Sequence, residues 1–327
     1  VQLRDLGEWE VLRRLAAYAP AGQFNDDAAL LEERSGHQRV VNTDVLVEGV
    51  HFSDATIGPR DLGWRAAAAN LSDLAAMGCT GVAGITVALV APGHTPWSWV
   101  EGVYAGLRDA LEPYGAVILG GDCSSGRERL LSITALGHVA NGMAIRRGDG
   151  RPGDWLISSG PHGLSRLGLA LLLDELDASQ VSPELQQRAI QAHRRPTPRL
   201  DAVAALHSSR PSALPWRLGG TDSSDGLAAA VKAIAATSGC GALLERSQLP
   251  IGPELAQLEA GERWCLGGGE DFELVLALPP SWAEALLEAL PGASRIGSLV
   301  KAEPGLVRWQ ESGEALAAAE QGFTHFR

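Results

Sequence analysis

The chain has 327 residues, 45% of them apolar and 20% charged, with 39 acidic against 27 basic side chains and a net charge of −12. That length suits two domains of about 150 residues each, the composition builds ordinary cores rather than a disordered chain, and the charge disfavours a nucleic-acid binder working through a broad basic face. Only Lys232 and Lys301 are lysines, and neither sits in a G-x-x-x-x-G-K-[ST] context, which excludes a Walker-type phosphate loop.

In chain order, Leu3 to Tyr18 predicts a short amphipathic helix. Phe24 to Leu31 (FNDDAALL) reads as an acidic turn feeding an apolar strand, and Val40 to Phe52 (VVNTDVLVEGVHF) as a β-rich segment that carries Asp44, Glu48 and His51. Asp61 to Met77 is an alanine-rich helix closed by Gly78, where a left-handed C-cap is expected. The longest apolar run, Gly81 to Pro92, is a glycine-punctuated strand, and no run reaches the roughly 18 residues of a membrane span. Thr95-Pro96 opens a helix that lasts to Pro113, Ala116 to Leu119 is a short strand entering Gly120-Gly121-Asp122, and Leu130 to Val139 is another strand.

Gly, Arg, Asp and Pro crowd together from Asn141 to Asp154, which predicts a domain boundary there: residues 1–140, then 141–327. Beyond it come a strand at Trp155 to Ser159, a helix at Leu164 to Leu176, a rigid basic connector at His193 to Arg199 (HRRPTPR), a helix after Thr221-Asp-Ser-Ser-Asp-Gly226 that stops at Gly239, and a glycine turn joined to a buried strand at Leu266 to Leu278. This order favours a mixed α/β and α+β fold. The start shows no basic and then apolar signal pattern, and Cys79, Cys123, Cys240 and Cys265 form no C-x-x-C pair. A cytoplasmic protein with reduced thiols and no zinc site is expected, without membrane or nucleic-acid partners.

Aspartate recurs beside Gly, Ser, Thr or Asn at element edges: Asp26-Asp27, Thr43-Asp44, Ser72-Asp73, Gly121-Asp122 and Asp222-Ser-Ser-Asp225. Such hard oxygen ligands bind Mg²⁺ together with substrate phosphates, although an isolated acidic residue before a helix, such as Asp225 taken alone, is more often a cap. Asp73 lies too deep in its helix to cap it, and Asp44 interrupts an apolar strand. Burying either unpaired costs about several kcal/mol, so a shared set of cations is a reason for both. The Asp222–Gly226 segment offers backbone N–H groups to phosphate at a helix start. His51 and Glu270-Asp271 read either as ligand contacts or as structural, and Arg146, Arg147 and Arg151 as surface charges or as a phosphate clamp.

Together, FNDDAALL (24–31), NTDVLVEGVHF (42–52), GWRAAAANLSDLAAMG (63–78), GGD (120–122), RRGDGRPGDWLISSG (146–160), HRRPTPR (193–199), DSSDGL (222–227), GGGEDFEL (267–274) and GFTHF (322–326) resemble, in order, the thiamine-monophosphate kinase family. Its superfamily also holds aminoimidazole-ribonucleotide synthetase and selenophosphate synthetase. The resemblance implies ATP-dependent phosphorylation of thiamine monophosphate to thiamine diphosphate, with several Mg²⁺ ions. It puts Asp27, Thr43, Asp44, Asp73, Asp122, Asp222 and Asp225 on metal positions, Tyr104, Gly121, Arg147 and Ser224 on ATP-binding positions, and His51, Glu270 and Phe323 on substrate positions. It also implies an N-terminal mixed sheet with helices that forms a homodimer, a C-terminal α+β domain, and an active site between them. Asn25, Asn42 and Leu164 depart from the family pattern.

The acceptor is a phosphate that is already anionic, so no general base is needed. Direct in-line transfer, assisted by metals on Asp44, Asp73 and Asp122, is expected, with no nucleophile that has a base fixed beside it. Two other readings stay open: another ATP-using enzyme of the superfamily, of the aminoimidazole-ribonucleotide synthetase kind, and a non-catalytic divalent-cation-binding homologue.

Overall fold

The computed structural model describes residues 1–21, 31 and 33–317. Asp27, Phe323 and most of the strand expected before residue 31 therefore lie outside the described residues. The chain divides into two compact units, Val1–Leu74 with Cys79–Asn141, and Ala75–Gly78 with Gly142–Arg327.

The first unit holds α1 (Leu3–Leu6), α2 (Glu8–Leu15), β1 (His37–Val47), α3 (Pro59–Ala76, its last two residues counted with the second unit), β2 (Gly81–Ala91), α4 (Trp97–Leu111), β3 (Val117–Ser125) and β4 (Leu130–Ala140). The strands form one sheet in the order β1-β4-β2-β3, antiparallel except for the β2–β3 pair. Leu46, Leu131, Ile133, Ile85 and Val87 face a core filled by Leu71 and Leu74 of α3 and Val100, Val103 and Leu107 of α4. The two helices meet at glycines. A Cβ on Gly63 would lie 1.9 Å from the Val103 carbonyl oxygen, and one on Gly106 would lie 1.8 Å from that of Arg60.

The single N-terminal helix expected from periodicity is broken at Gly7, whose φ of 72° suits glycine. The long strand expected to Phe52 ends at Val47, where the chain turns. In contrast, β3 continues through Gly120-Gly121-Asp122 to Ser125, beyond the end at Leu119 that the sequence suggested.

The second unit holds β5 (Trp155–Ser158), α5 (Leu164–Leu172), α6 (Pro183–Arg194), α7 (Leu200–Ser209), β6 (Gly219–Asp222), α8 (Leu227–Thr237), β7 (Gly241–Leu244), α9 (Pro253–Ala256), α10 (Gly261–Gly267), β8 (Leu274–Leu278), α11 (Pro280–Ala289), β9 (Ser294–Val300) and β10 (Val307–Trp309). Its sheet runs β10-β7-β9-β5-β8-β6. Both faces of β8 are covered. Val275 and Ala277 pack with Val231 and Ile234 of α8, while Leu274, Leu276 and Leu278 pack with Val203 and Leu206 of α7 and Trp282 and Leu286 of α11. That explains its unbroken apolar run, since a strand buried on both sides loses the polar alternation.

Candidate functional site

In the first unit, the two-residue period of β1 separates its polar residues. Thr43 lies on the face where Val41 and Val45 are exposed, with its Oγ1 2.8 Å from that of Thr134. Asn42 and Asp44 fall on the Leu46 side, towards α3. There Asn70, fully buried, accepts from Asn42 Nδ2 (3.1 Å) and from the Asp44 backbone N–H (3.2 Å), and Asn42 Nδ2 also donates to Asp73 Oδ2 at 2.9 Å. Asn42 Oδ1 is buried with no hydrogen-bond partner among the described residues. Asp44, Asp73 and this orphaned carbonyl oxygen make an acceptor-rich patch of the kind that suits a hard cation. Among the described residues, no three His, Cys, Asp or Glu side chains gather as a metal cluster.

Asp122, exposed on β3, stands opposite Ala88. Beside it, Gly121 has a packing role, because a Cβ there would lie 1.9 Å from the Val87 carbonyl oxygen. Tyr104 is buried at 3% exposure, so its ring belongs to the core. Its phenol, pushed well above its usual pKa by burial, meets the Cys123 side chain. His51 sits in the turn after β1, where its Nδ1 accepts from the Val47 N–H at 3.1 Å. The neutral ring therefore carries its proton on Nε2.

The second unit gathers more of the expected positions. The Gly220 N–H donates to the Arg146 carbonyl (3.2 Å), which lays Arg147 along β6, and Arg147 Nε donates to Thr221 Oγ1 at 3.1 Å. Ser224 Oγ donates to Asp222 Oδ1 at 3.3 Å. Asp225 is exposed and does not cap α8, whose N-cap is Gly226 with no side-chain bond. The Glu270 N–H donates to the Ser224 carbonyl at 2.7 Å, so Arg147, Asp222, Ser224 and Glu270 share one end of β6. Glu270 and Phe272 take positive φ, 60° and 53°. Side chains with a Cβ rarely adopt that region, so the loop must be held by its surroundings.

Those surroundings are polar and were not foreseen as a group. Asp271 accepts from the Gly163 and Ser165 N–H groups (2.7 and 3.0 Å) at the start of α5. Burial pushes its carboxyl up to about 7, against the pull of those backbone bonds. Glu270 Oε2 lies 3.7 Å from Nδ1 of the buried His193. Glu273 pairs with Arg199 and Ser159, and Arg199 pairs in turn with Asp201 at 2.9 Å. His193 and Arg199 both come from the HRRPTPR connector, which together with Glu270-Asp271 was the sequence signal for this network. A further pair, Ser223 and His162, has its Oγ and Nε2 2.9 Å apart. This is a serine with a base beside it, where the sequence suggested none. Both residues are fully buried, and burial lowers the His162 pKa to about 4, so the pair is structural.

The two units match two halves of one family: residues 25–139 match the AIR synthase related protein N-terminal domain and residues 151–310 its C-terminal domain. The chain belongs to the AIR synthase related family. The thiamine-monophosphate kinase of Prochlorococcus marinus is 47% identical over 326 residues, 99% of this chain and 97% of the relative, and that of Escherichia coli K12 is 34% identical over 310 residues, 93% and 91%. Among solved structures, the thiamine-monophosphate kinase of Stenotrophomonas maltophilia superposes with a TM-score of 0.78 at 32% identity, covering 95% of this chain and 98% of that one. AaThiL complexed with AMPPCP and TMP gives 0.77 at 29%, covering 100% and 99%. Within the family, the chain falls with the thiamine-monophosphate kinases.

Proposed function

We infer that the protein transfers the γ-phosphoryl group of ATP to the phosphate of thiamine monophosphate, giving ADP and thiamine diphosphate. Near-full-length similarity at 47% identity to a thiamine-monophosphate kinase carries this reading. The likeness to AaThiL complexed with AMPPCP and TMP supports the two substrates. In the reading, Arg147, Gly121, Tyr104 and Ser224 serve ATP, and His51, Glu270 and Phe323 serve thiamine monophosphate. Tyr104 acts from the core beside Cys123 rather than as an open stacking surface.

Mg²⁺ fits the residues present, because Asp44, Asp73 and the orphaned Asn42 Oδ1 offer oxygen donors in one patch. Thr43, whose side chain lies on the other face of β1, and Asp122, Asp222, Asp225 and Asp27 are the remaining positions of the proposed ligand set. Bound there, the ions would supply positive charge against the phosphate oxygens. Arg147 adds a guanidinium beside Thr221, a geometry suited to a phosphate oxygen. The acceptor phosphate is its own nucleophile, so the protein's task is to align two anions rather than to remove a proton.

A homodimer formed through the first sheet is part of the same reading, supported by the outward, exposed Val41 and Val45 of β1. A cytoplasmic location is part of the same reading, and no described helix is long and apolar enough to cross a membrane. Incubation with Mg·ATP and thiamine monophosphate should yield ADP and thiamine diphosphate in equal amounts. Absence of product across a range of Mg²⁺ concentrations would refute the assignment.

A further inference from the structure

The β1–β4 ladder ends with Val47 opposite Leu130, so its next rung brings Glu48 opposite Arg129. The rung is made in both directions. The Glu48 N–H donates to the Arg129 carbonyl at 3.0 Å, and the Arg129 N–H donates to Glu48 Oε2 at 3.1 Å. The Arg129 guanidinium then bonds Glu48 Oε1 and, from the same nitrogen, Asp54 Oδ2 at 2.9 Å.

Glu48 and Asp54 bracket a turn of seven residues with His51 at its middle. The turn is folded on itself by bonds from the Gly49 N–H to the Phe52 carbonyl (2.9 Å) and from the His51 N–H to the Val47 carbonyl (2.9 Å). Phe52, 4% exposed, anchors it in the core. The bonds to Val47 tie His51 to the end of β1, and Arg129 adds a second hold by bonding both ends of the turn.

Arg129 is itself fixed. Its guanidinium carbon lies 4.8 Å from the centroid of the Trp99 ring on α4, and its side chain is only 12% exposed. A planar cation stacked on an aromatic ring and shared by two carboxylates has little rotational freedom, unlike an open surface ion pair. The pairing also holds the Glu48 carboxyl below its usual range, through the Arg129 side-chain bond first.

We propose that Arg129 is a positioning residue for thiamine monophosphate: by gripping both ends of the Glu48–Asp54 turn it holds His51, with its Nε2–H, at the acceptor substrate. This rests on the reading that His51 touches that substrate. A donor N–H suits the anionic or ring-nitrogen groups of thiamine monophosphate. Misplacing it by a fraction of an ångström weakens binding of that substrate and leaves ATP untouched.

The test is steady-state kinetics of Arg129→Met, Arg129→Lys, His51→Gln and the Met/Gln double variant, with thiamine monophosphate and ATP varied separately. Arg129→Met should raise KM for thiamine monophosphate about tenfold and KM for ATP by less than about twofold, with Arg129→Lys between it and the parent. The double variant should be no worse than His51→Gln, because both changes remove one interaction. Equal rises in both KM values, no rise in either, or effects that add in the double variant overturn the proposal. If His51→Gln raises KM for thiamine monophosphate and Arg129→Met does not, positioning by Arg129 fails while the reading of His51 stands; if His51→Gln leaves it unchanged, both fail. Should Arg129→Met not fold, Asp54→Asn removes only the exposed arm of the grip, and it should raise that KM alone by about twofold to threefold; no change there overturns the proposal.

Discussion

His162 Nε2 lies 2.9 Å from Ser223 Oγ, and the direction of that hydrogen bond is fixed by its neighbours. Ser158 gives its hydroxyl proton to the Gly160 carbonyl at 2.7 Å, so at 3.3 Å from His162 Nδ1 it can only accept. Ser223 Oγ accepts from the Glu273 N–H at 3.2 Å and has its own proton left for Nε2. His162 is therefore the Nδ1–H tautomer, a prediction that ¹⁵N shifts of the two ring nitrogens check at pH 7.

The same burial makes His162 a pH-dependent stabiliser. Its folded pKa is lowered to about 4 from 6.5. Its contribution is complete above 6.5 and is lost as pH falls from there towards 4, because the unfolded chain takes up a proton that the folded chain refuses. Asp271 has the opposite sign: with a folded pKa raised to about 7 from 3.8, its contribution is complete below 3.8 and is lost as pH rises towards 7. The two slopes offset one another in the parent protein. Relative to the parent, His162→Leu should lose stability with rising pH between 4 and 7, and Asp271→Asn should gain it. Urea midpoints at several pH values measure both, and parallel pH profiles for parent and variants would contradict the assignment.

Asp73 was legible in the sequence because a carboxylate in the middle of an alanine-rich helix has no local purpose. Gly78, with φ of 80°, was legible as the end of that helix because only the left-handed region closes it cheaply. The His162 relay was not legible. Its members sit on β5, the turn before α5, the loop after β6 and the start of β8, and they meet only because β5 and β6 flank β8. Arg129 was hidden for the same reason: its partners Glu48 and Asp54 are 81 and 75 residues away, and only the antiparallel register of β1 on β4 brings them together. Local spacing showed which residues carry chemistry, but strand pairing decides what holds them.

Asn42, one of the departures from the family pattern, should tune metal use. Its Nδ2 holds Asp73 Oδ2 at 2.9 Å while its Oδ1 has no partner among the described residues. Asn42→Ala removes both the donor and a candidate ligand. The Mg²⁺ concentration giving half-maximal rate should rise by about tenfold or less, since one neutral oxygen is lost and the carboxylates remain. Asp73→Asn, which removes a charge at the centre of the patch, should abolish product formation, with a far-UV circular dichroism spectrum like that of the parent.

Gly121 illustrates a site position whose first requirement is steric. With a Cβ 1.9 Å from the Val87 carbonyl oxygen and 3.0 Å from the Val87 nitrogen, no side-chain rotation can relieve the contact. Gly121→Ala must push β3 away from β2, and it should cost at least about 3 kcal/mol, seen as a large fall in thermal midpoint. Gly120→Ala is the control. Nothing lies within 4 Å of a Cβ there, so its midpoint should stay close to that of the parent.

The Ser223–His162 pair raises the question of a phosphoenzyme, because a serine hydroxyl bonded to an imidazole is the usual arrangement for nucleophilic attack. Three observations oppose it. Both side chains have no exposed surface, so ATP cannot reach the hydroxyl. A base whose pKa has fallen to about 4 is a poor acceptor for the serine proton. The imidazole is oriented on its far side by a serine rather than by a carboxylate that would stabilise its cation. Transfer should therefore be a single displacement: with ATP made chiral at the γ-phosphorus, the thiamine diphosphate formed should show inversion of configuration. Ser223→Ala should keep that inversion and a measurable kcat while lowering the thermal midpoint, because it leaves His162 Nε2 and the Glu273 N–H without their shared partner. Retention of configuration in the parent, with loss of all turnover in Ser223→Ala, would instead place the phosphoryl group on this serine.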